Sequence, residues 1–271
     1  MSEMLSLGFM QNAFLGGILV SVICGFVGSL IVINKMSFIA GGVAHGAYGG
    51  IGLAFFLGIS PLLGASAFSL FLALLVAFIT QKNKERFDSV IGAIWAFGMA
   101  IGIILIDLSP GYNTDLMSYL FGSILAVNSQ TLGFIAVCDI VFVFLILTFY
   151  RQFLALSFDM EFAKLRGVKT EFFYYLLVVM MSFSVVAAIQ VVGLILVIAL
   201  ITIPPFIAEK ISKNLFFMMI NATLISVVFC VGGLILSYKF NLTSGASIIL
   251  IASLCFFVFA FFLQKANLAW F

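Results

Sequence analysis

Only 8% of the 271 residues are charged, one is a histidine, and the four cysteines include no Cys-x-x-Cys pair. Each shortage excludes something. So little charge beside 65% hydrophobic residues and a mean hydropathy of +1.33 excludes a soluble domain of this size, which could not cover its apolar surface. A single histidine leaves no His-Glu-x-x-His motif and little for an acid–base pair, and Gly-x-Ser-x-Gly is absent too; together these argue against an intramembrane enzyme. There is no Gly-x-x-x-x-Gly-Lys-[Ser/Thr] loop to cradle phosphates, so any ATP must be hydrolysed by another chain. Cys24, Cys138, Cys230 and Cys255 all lie in apolar runs, where cysteine packs as a small hydrophobe. The net charge of +2 gives no reason to invoke nucleic acid.

What the chain does have is long apolar runs, at about 13–33, 38–58, 61–80, 89–107, 130–150, 172–189, 191–208, 214–237 and 246–264. Each approaches the ~20 residues that a helix needs to cross ~30 Å of hydrocarbon, and all are too long for barrel strands. The expected fold is an all-α polytopic membrane protein with eight or nine transmembrane helices, forming a single transmembrane domain over residues 1–271. Two places leave the count open. Around Gln190 the chain makes either two tight crossings or one long bent helix, and glycines can break the helix at 38–58.

Charge placement sets the orientation. With nine spans, Lys35, Lys82, Lys84, Arg86, Arg151, Lys164, Arg166, Lys169, Lys210, Lys213 and Lys265 share one side, and Lys239 alone lies opposite with Asp107 and Asp115. By the positive-inside rule the first side is cytoplasmic. The first dozen residues carry no Lys or Arg and no small-residue cleavage site follows, so the first span is expected to be retained.

His45 lies within the glycine-rich run from Ser37 to Gly52. An ionisable group in hydrocarbon faces protein or a water-filled path, and imidazole is a good ligand for zinc and related ions. Two readings stand: a metal ligand in a transport path, or a neutral imidazole bonded to a backbone carbonyl. Gly42, Gly46 and Gly50 are spaced by four, so they share a helical face that either admits a neighbouring helix or, with Gly41 and Gly49, unwinds to line a translocation path. Asp139, in the middle of the 130–150 run beside Cys138, would cost ~2.5–3.5 kcal/mol as a carboxylate on insertion scales. It is either a hard ligand for a divalent cation or a carboxyl bonded to a neighbouring helix. A closed zinc cage takes ~4 ligands, so a site with this few would be weak, as a conduit that releases its cargo requires.

Three connecting segments stand out. Pro110 to Val127 is too polar at its start and too short to cross, and is expected to dip into the outer leaflet or pack on the extracellular rim. Arg151 to Glu171 reads as a cytoplasmic loop with a short amphipathic helix ending near Gly167. At Ile203 to Asn214 the tandem Pro204 and Pro205 are expected to stop one helix, and Phe206, Ile207 and Ile211 to give a short new one an apolar face. Such a helix can bind a partner.

The chain resembles the permeases of bacterial zinc and manganese ABC importers, the ZnuB-like metal permease family. Met36 to Phe55 resembles the family's Ser-x-x-Gly-Asp-x-x-x-His-x-x-x-x-Gly segment, Thr114 to Val127 is similar to a stretch of ZnuB-like members, and Val191 to Ala208 with Leu242 to Leu250 matches the C-terminal half. The resemblance implies a homodimeric permease with the vitamin B12 importer type of fold, partnered by cytoplasmic ABC ATPases and an extracytoplasmic metal-binding protein, in the inner membrane of a bacterium. It implies no permanently bound cofactor, and a divalent metal as cargo, zinc first with manganese or iron as alternatives. It also implies that the helix carrying Pro204, Pro205, Phe206, Glu209 and Lys210 sits in a groove of the ATPase. His45 matches the metal-holding histidine of the family pattern, but Gly41 stands where the pattern has aspartate. Metal would then pass on His45 with backbone carbonyls and water, or with Asp139 substituting, or this branch carries something else. An autonomous carrier or channel is the reading from a different class.

Overall fold

A computed structural model describes residues 8–82, 87–109, 122, 124, 127–194 and 197–265. All regular structure among them is helical: α1 (Gly8–Ile33), α2 (Ser37–Leu57), α3 (Pro61–Lys82), α4 (Phe87–Asp107), α5 (Ser129–Thr148), α6 (Tyr150–Phe158), α7 (Met160–Leu165), α8 (Thr170–Val192), α9 (Val197–Ile211), α10 (Leu215–Phe240) and α11 (Ser244–Lys265). Eight of them, α1 to α5 with α8, α10 and α11, are long and apolar enough to cross a membrane. At ~1.5 Å per residue the 15-residue α9 covers only ~22 Å.

Contacts at the helix ends define the two sides. At one, Asn34 Nδ2 donates to Ser157 Oγ at 2.9 Å and Tyr150 packs edge-on against Phe216, gathering the turns that carry Lys35, Arg151, Lys169 and Lys213. At the other, Asn12 Nδ2 donates to the Val127 carbonyl at 3.4 Å, and Phe9 and Met10 lie beside Asn241 and Leu242. Because α8 and α10 both start on the basic side, α9 is the return crossing between them, and the described residues make eight long passes and one short. Lys84, Arg86 and Asp115 lie outside the described residues.

Two tight crossings, α8 and α9, rather than one bent helix, meet just past Gln190. The break falls at Gly193, whose φ of 84° and ψ of 166° fit a backbone region that is essentially glycine's own. Gly122, itself at φ 70°, abuts this break, and a Cβ there would collide with Val192 and Gly193. Ile124 is buried, with its side chain 3.5 Å from where a Cβ would stand on Gly17. The remainder of the Pro110 to Val127 expectation lies outside the described residues.

Helix ends are built from local chemistry. Asn128, Asp159 and Asn214 each accept a hydrogen bond from the backbone N–H three residues on, capping α5, α7 and α10. Gly58, at φ 68°, closes α2. Inside the bundle the hydroxyls of Ser21, Ser29 and Ser184 donate to the carbonyl four residues earlier, at 2.6 Å, so each is satisfied by its own helix.

The helices form two groups. α2 lies between α3 and α4; α1 packs on α10, α9 and α5; and α8 touches both groups. α1 is thus an integral part of the core. Elsewhere Val137, Ile140 and Phe144 of α5, Ile103 and Ile104 of α4, and Phe257, Val258 and Phe262 of α11 are exposed. Apolar surface on this scale fits lipid and not water.

One open alternative is settled and two expectations change. α2 is an unbroken helix, so its glycines serve close packing and do not unwind it. The tandem prolines do not stop a helix, because Pro204 and Pro205 lie inside α9. Proline takes an N–H from the ladder and frees the carbonyl four residues earlier; the freed Ile201 carbonyl lies 2.7 Å from where a Cβ would stand on Gly28 of α1. Residues 151–171 hold two short helices, α6 and α7, with Gly167 at φ 83° following α7.

Candidate functional site

The site is assembled by glycines. Gly46 and Gly98 bring α2 and α4 almost into backbone contact: a Cβ on Gly98 would lie 2.6 Å from the Gly46 Cα. One turn on, a Cβ on Gly102 would lie 2.6 Å from the Tyr48 carbonyl, and one on Gly49 would lie 2.8 Å from the Gly98 carbonyl. Gly42 faces Ile91 of α4, Gly46 faces Leu72 of α3, and Gly50 meets Gly64 and Phe68 of α3. Spacing by four turns each residue ~40° past the last, which is why the stripe drifts from one neighbour to the other. Gly41 faces Ile198 of α9, 3.0 Å from where its Cβ would stand.

This approach sets His45 against Trp95. Each is the ninth residue of its helix, ~12 Å from the end on the basic side. The two rings stack with centroids 4.0 Å apart and planes 9° from parallel. The indole Nε1–H donates to Met99 Sδ at 3.1 Å, one turn along α4, which fixes the ring. His45 is buried, and its Nδ1 has no hydrogen-bond partner among the described residues. The carbonyl-bonded imidazole allowed by the sequence is thus not made through Nδ1. An unmet buried polar atom costs ~1–3 kcal/mol and asks what satisfies it.

Asp139 has the same property in a different place. It is buried on α5, with neither carboxylate oxygen partnered among the described residues. Its electrostatic neighbours are Cys138 and, across on α1, Cys24. α5 packs on α1 and α8, whereas α2 packs on α4 and α3. The structure therefore places His45 and Asp139 in separate helix groups, and no three described His, Cys, Asp or Glu side chains gather to hold a metal.

Toward the basic side, Pro204, Pro205, Ile207 and Ala208 are buried. Phe206 packs on Phe256 with centroids 5.4 Å apart, and the Lys210 ammonium lies 5.7 Å above the Phe206 ring and 3.7 Å from Glu209. Of that segment the surface shows Glu209, Ile211, Lys213 and Asn214. The α6–α7 elbow shows more. Phe158 is 82% exposed and Leu165 86%, with Met160 and Phe162 beside them, among Glu161, Lys164 and Arg166. The sequence marks this stretch as amphipathic, but hydropathy alone does not say that its apolar face is left uncovered.

A bundle of membrane-crossing helices, with an imidazole at depth whose Nδ1 has no hydrogen-bond partner among the described residues and an uncovered apolar elbow on its basic side, defines a multi-pass membrane protein of the transport class. The chain belongs to the ABC 3 transport family, whose model matches residues 6–264. It is 33% identical to the manganese transport system membrane protein MntC of Listeria innocua, covering 96% of this chain and 93% of that one. It is 34% identical to the manganese import system permease protein ScaB of Streptococcus gordonii, covering 95% and 92%, and 48% identical to the membrane protein slr2045 of Synechocystis, covering 95% and 92%. Among solved structures it is similar to PsaBC from Streptococcus pneumoniae in complex with Fab, with a TM-score of 0.85, 33% identity, and 95% and 93% of the two chains covered.

Proposed function

We propose that this chain is the permease subunit of an ATP-driven importer of divalent metal ions, and that manganese is its cargo in preference to zinc. The observation that carries the reading is the buried His45 Nδ1, which has no hydrogen-bond partner among the described residues, in a helix that resembles the family's metal-holding segment except at Gly41. Manganese is favoured over the zinc expected from sequence because the family relatives named for a cargo at 33–34% identity, MntC and ScaB, are named for manganese. Imidazole ligates either ion, and ligand type alone does not separate them here.

One chain offers too few donors for a closed cage, so water and a second copy complete the site in this reading, with His45 from each copy facing a shared path beside the α2 glycines. Asp139 supplies a hard oxygen donor at a separate point. Neither of its oxygens has a partner among the described residues, which supports that role, since a cation would relieve the cost of burial. Capture from outside falls to an extracytoplasmic metal-binding protein.

Energy comes from a separate ABC ATPase. The chain lacks a phosphate-binding loop, and the α6–α7 elbow with the Glu209 to Asn214 turn gives the partner an apolar anchor rimmed by charge. In this scheme Pro204, Pro205, Phe206, Glu209 and Lys210 pass the ATPase movement into α9, whose Ile198 touches α2 at Gly41.

Uptake of radiolabelled manganese and zinc, in cells expressing the full importer with wild-type or His45→Ala permease, tests the reading. Manganese accumulation above zinc that falls at least tenfold in the variant is expected. Normal uptake in the variant would remove His45 from the path, and accumulation driven by the purified chain alone would overturn the dependence on an ATPase.

A further inference from the structure

We infer that Trp95 is a positioning residue for the metal step: its indole forms the wall against which His45 is held, and it strengthens the hold of the imidazole on a divalent cation. The inference rests on the metal reading of His45 and concerns a residue on another helix. The rings are 9° from parallel at 4.0 Å, so the faces overlap and the imidazole nitrogens point away from the indole, in the plane of their own ring. Nδ1 is thus presented edge-on with no hydrogen-bond partner among the described residues. A cation bound there draws electron density from the imidazole, and an electron-rich indole face beneath it is a better neighbour for the positive ring than for the neutral one. The hydrogen bond from Nε1 to Met99 Sδ ties the indole to its own helix, so the wall does not rotate away when the ion leaves. α4 also carries Phe97, Ile103 and Ile104 on its exposed side, which puts Trp95 between His45 and the lipid.

The arrangement supplies its own reporter, because the chain has two tryptophans, Trp95 and Trp270. In the full importer, Trp95→Ala is expected to raise the KM for manganese uptake about tenfold with the maximal rate within twofold, and Trp95→Phe to fall between. In the purified full-length chain carrying Trp270→Phe, cobalt(II) chloride is expected to quench the Trp95 emission saturably, and to lose that effect when His45→Ala is added. An unchanged KM in Trp95→Ala, a loss of maximal rate alone at equal protein level, or quenching that persists without His45 would each overturn the inference. If His45→Ala transports normally, the metal reading of His45 fails first. If His45→Ala is dead and Trp95→Ala keeps its KM, the wall fails alone.

Discussion

Gly98 of α4 rests on the Cα of Gly46 of α2, so close that a Cβ on Gly98 would stand 2.6 Å from it. The contact is backbone on backbone, so no flexible side chain can move aside. Gly98→Val is expected to push the helices apart and destabilise the bundle by about 1–3 kcal/mol. It should also separate Trp95 from His45. A lower melting temperature in detergent, together with loss of metal quenching of Trp95, checks this; an unchanged melting temperature would mean that the helices pack less tightly than the structure shows.

Gly193→Ala tests the break between α8 and α9. At φ 84° and ψ 166° any other residue is strained by about 1–3 kcal/mol, and Gly122 blocks relief on the outer side. The variant is expected to lose several degrees of thermal stability, whereas Gly58→Ala, at an open helix end with nothing within 4 Å of the added carbon, should lose less. Equal losses would show that the packing against Gly122 adds nothing to the strain.

Asp139→Asn removes the charge and keeps the shape. If the carboxylate serves the passing ion, uptake falls at least fivefold at unchanged chain level. Uptake within twofold of wild type would make Asp139 a structural carboxyl.

Leu165→Glu and Phe158→Asp place charge on the exposed elbow without touching the core, since both side chains are more than four-fifths exposed. The chain should insert and fold normally and fail to co-purify with its ATPase. Intact co-purification of both variants would move the docking surface to the turn at Glu209 to Asn214.

Pro204→Ala with Pro205→Ala restores two N–H donors inside α9 and lets the Leu200 and Ile201 carbonyls close the ladder. Thermal stability is expected to hold or rise by a few degrees. ATP-dependent uptake should fall, because a stiffer α9 transmits a different movement. Unchanged uptake would show that the prolines are not part of the coupling.

Much of this was open to reading before folding. Hydropathy alone places nine apolar runs, because ~20 such residues have few stable homes other than a bilayer, and the lysines and arginines fall mostly to one side of them. His45 and Asp139 stand out because ionisable groups are rare in hydrocarbon. Only the tertiary structure pairs His45 with Trp95, parts it from Asp139, carries α9 through two prolines, and sets Gly122 against Gly193. The reason is physical: in this chain the lipid-facing and buried sides of a helix are about equally apolar, so periodicity does not tell which side meets which neighbour. That choice is made by backbone contacts between residues tens of positions apart, at glycines whose spacing permits close approach but does not name the partner.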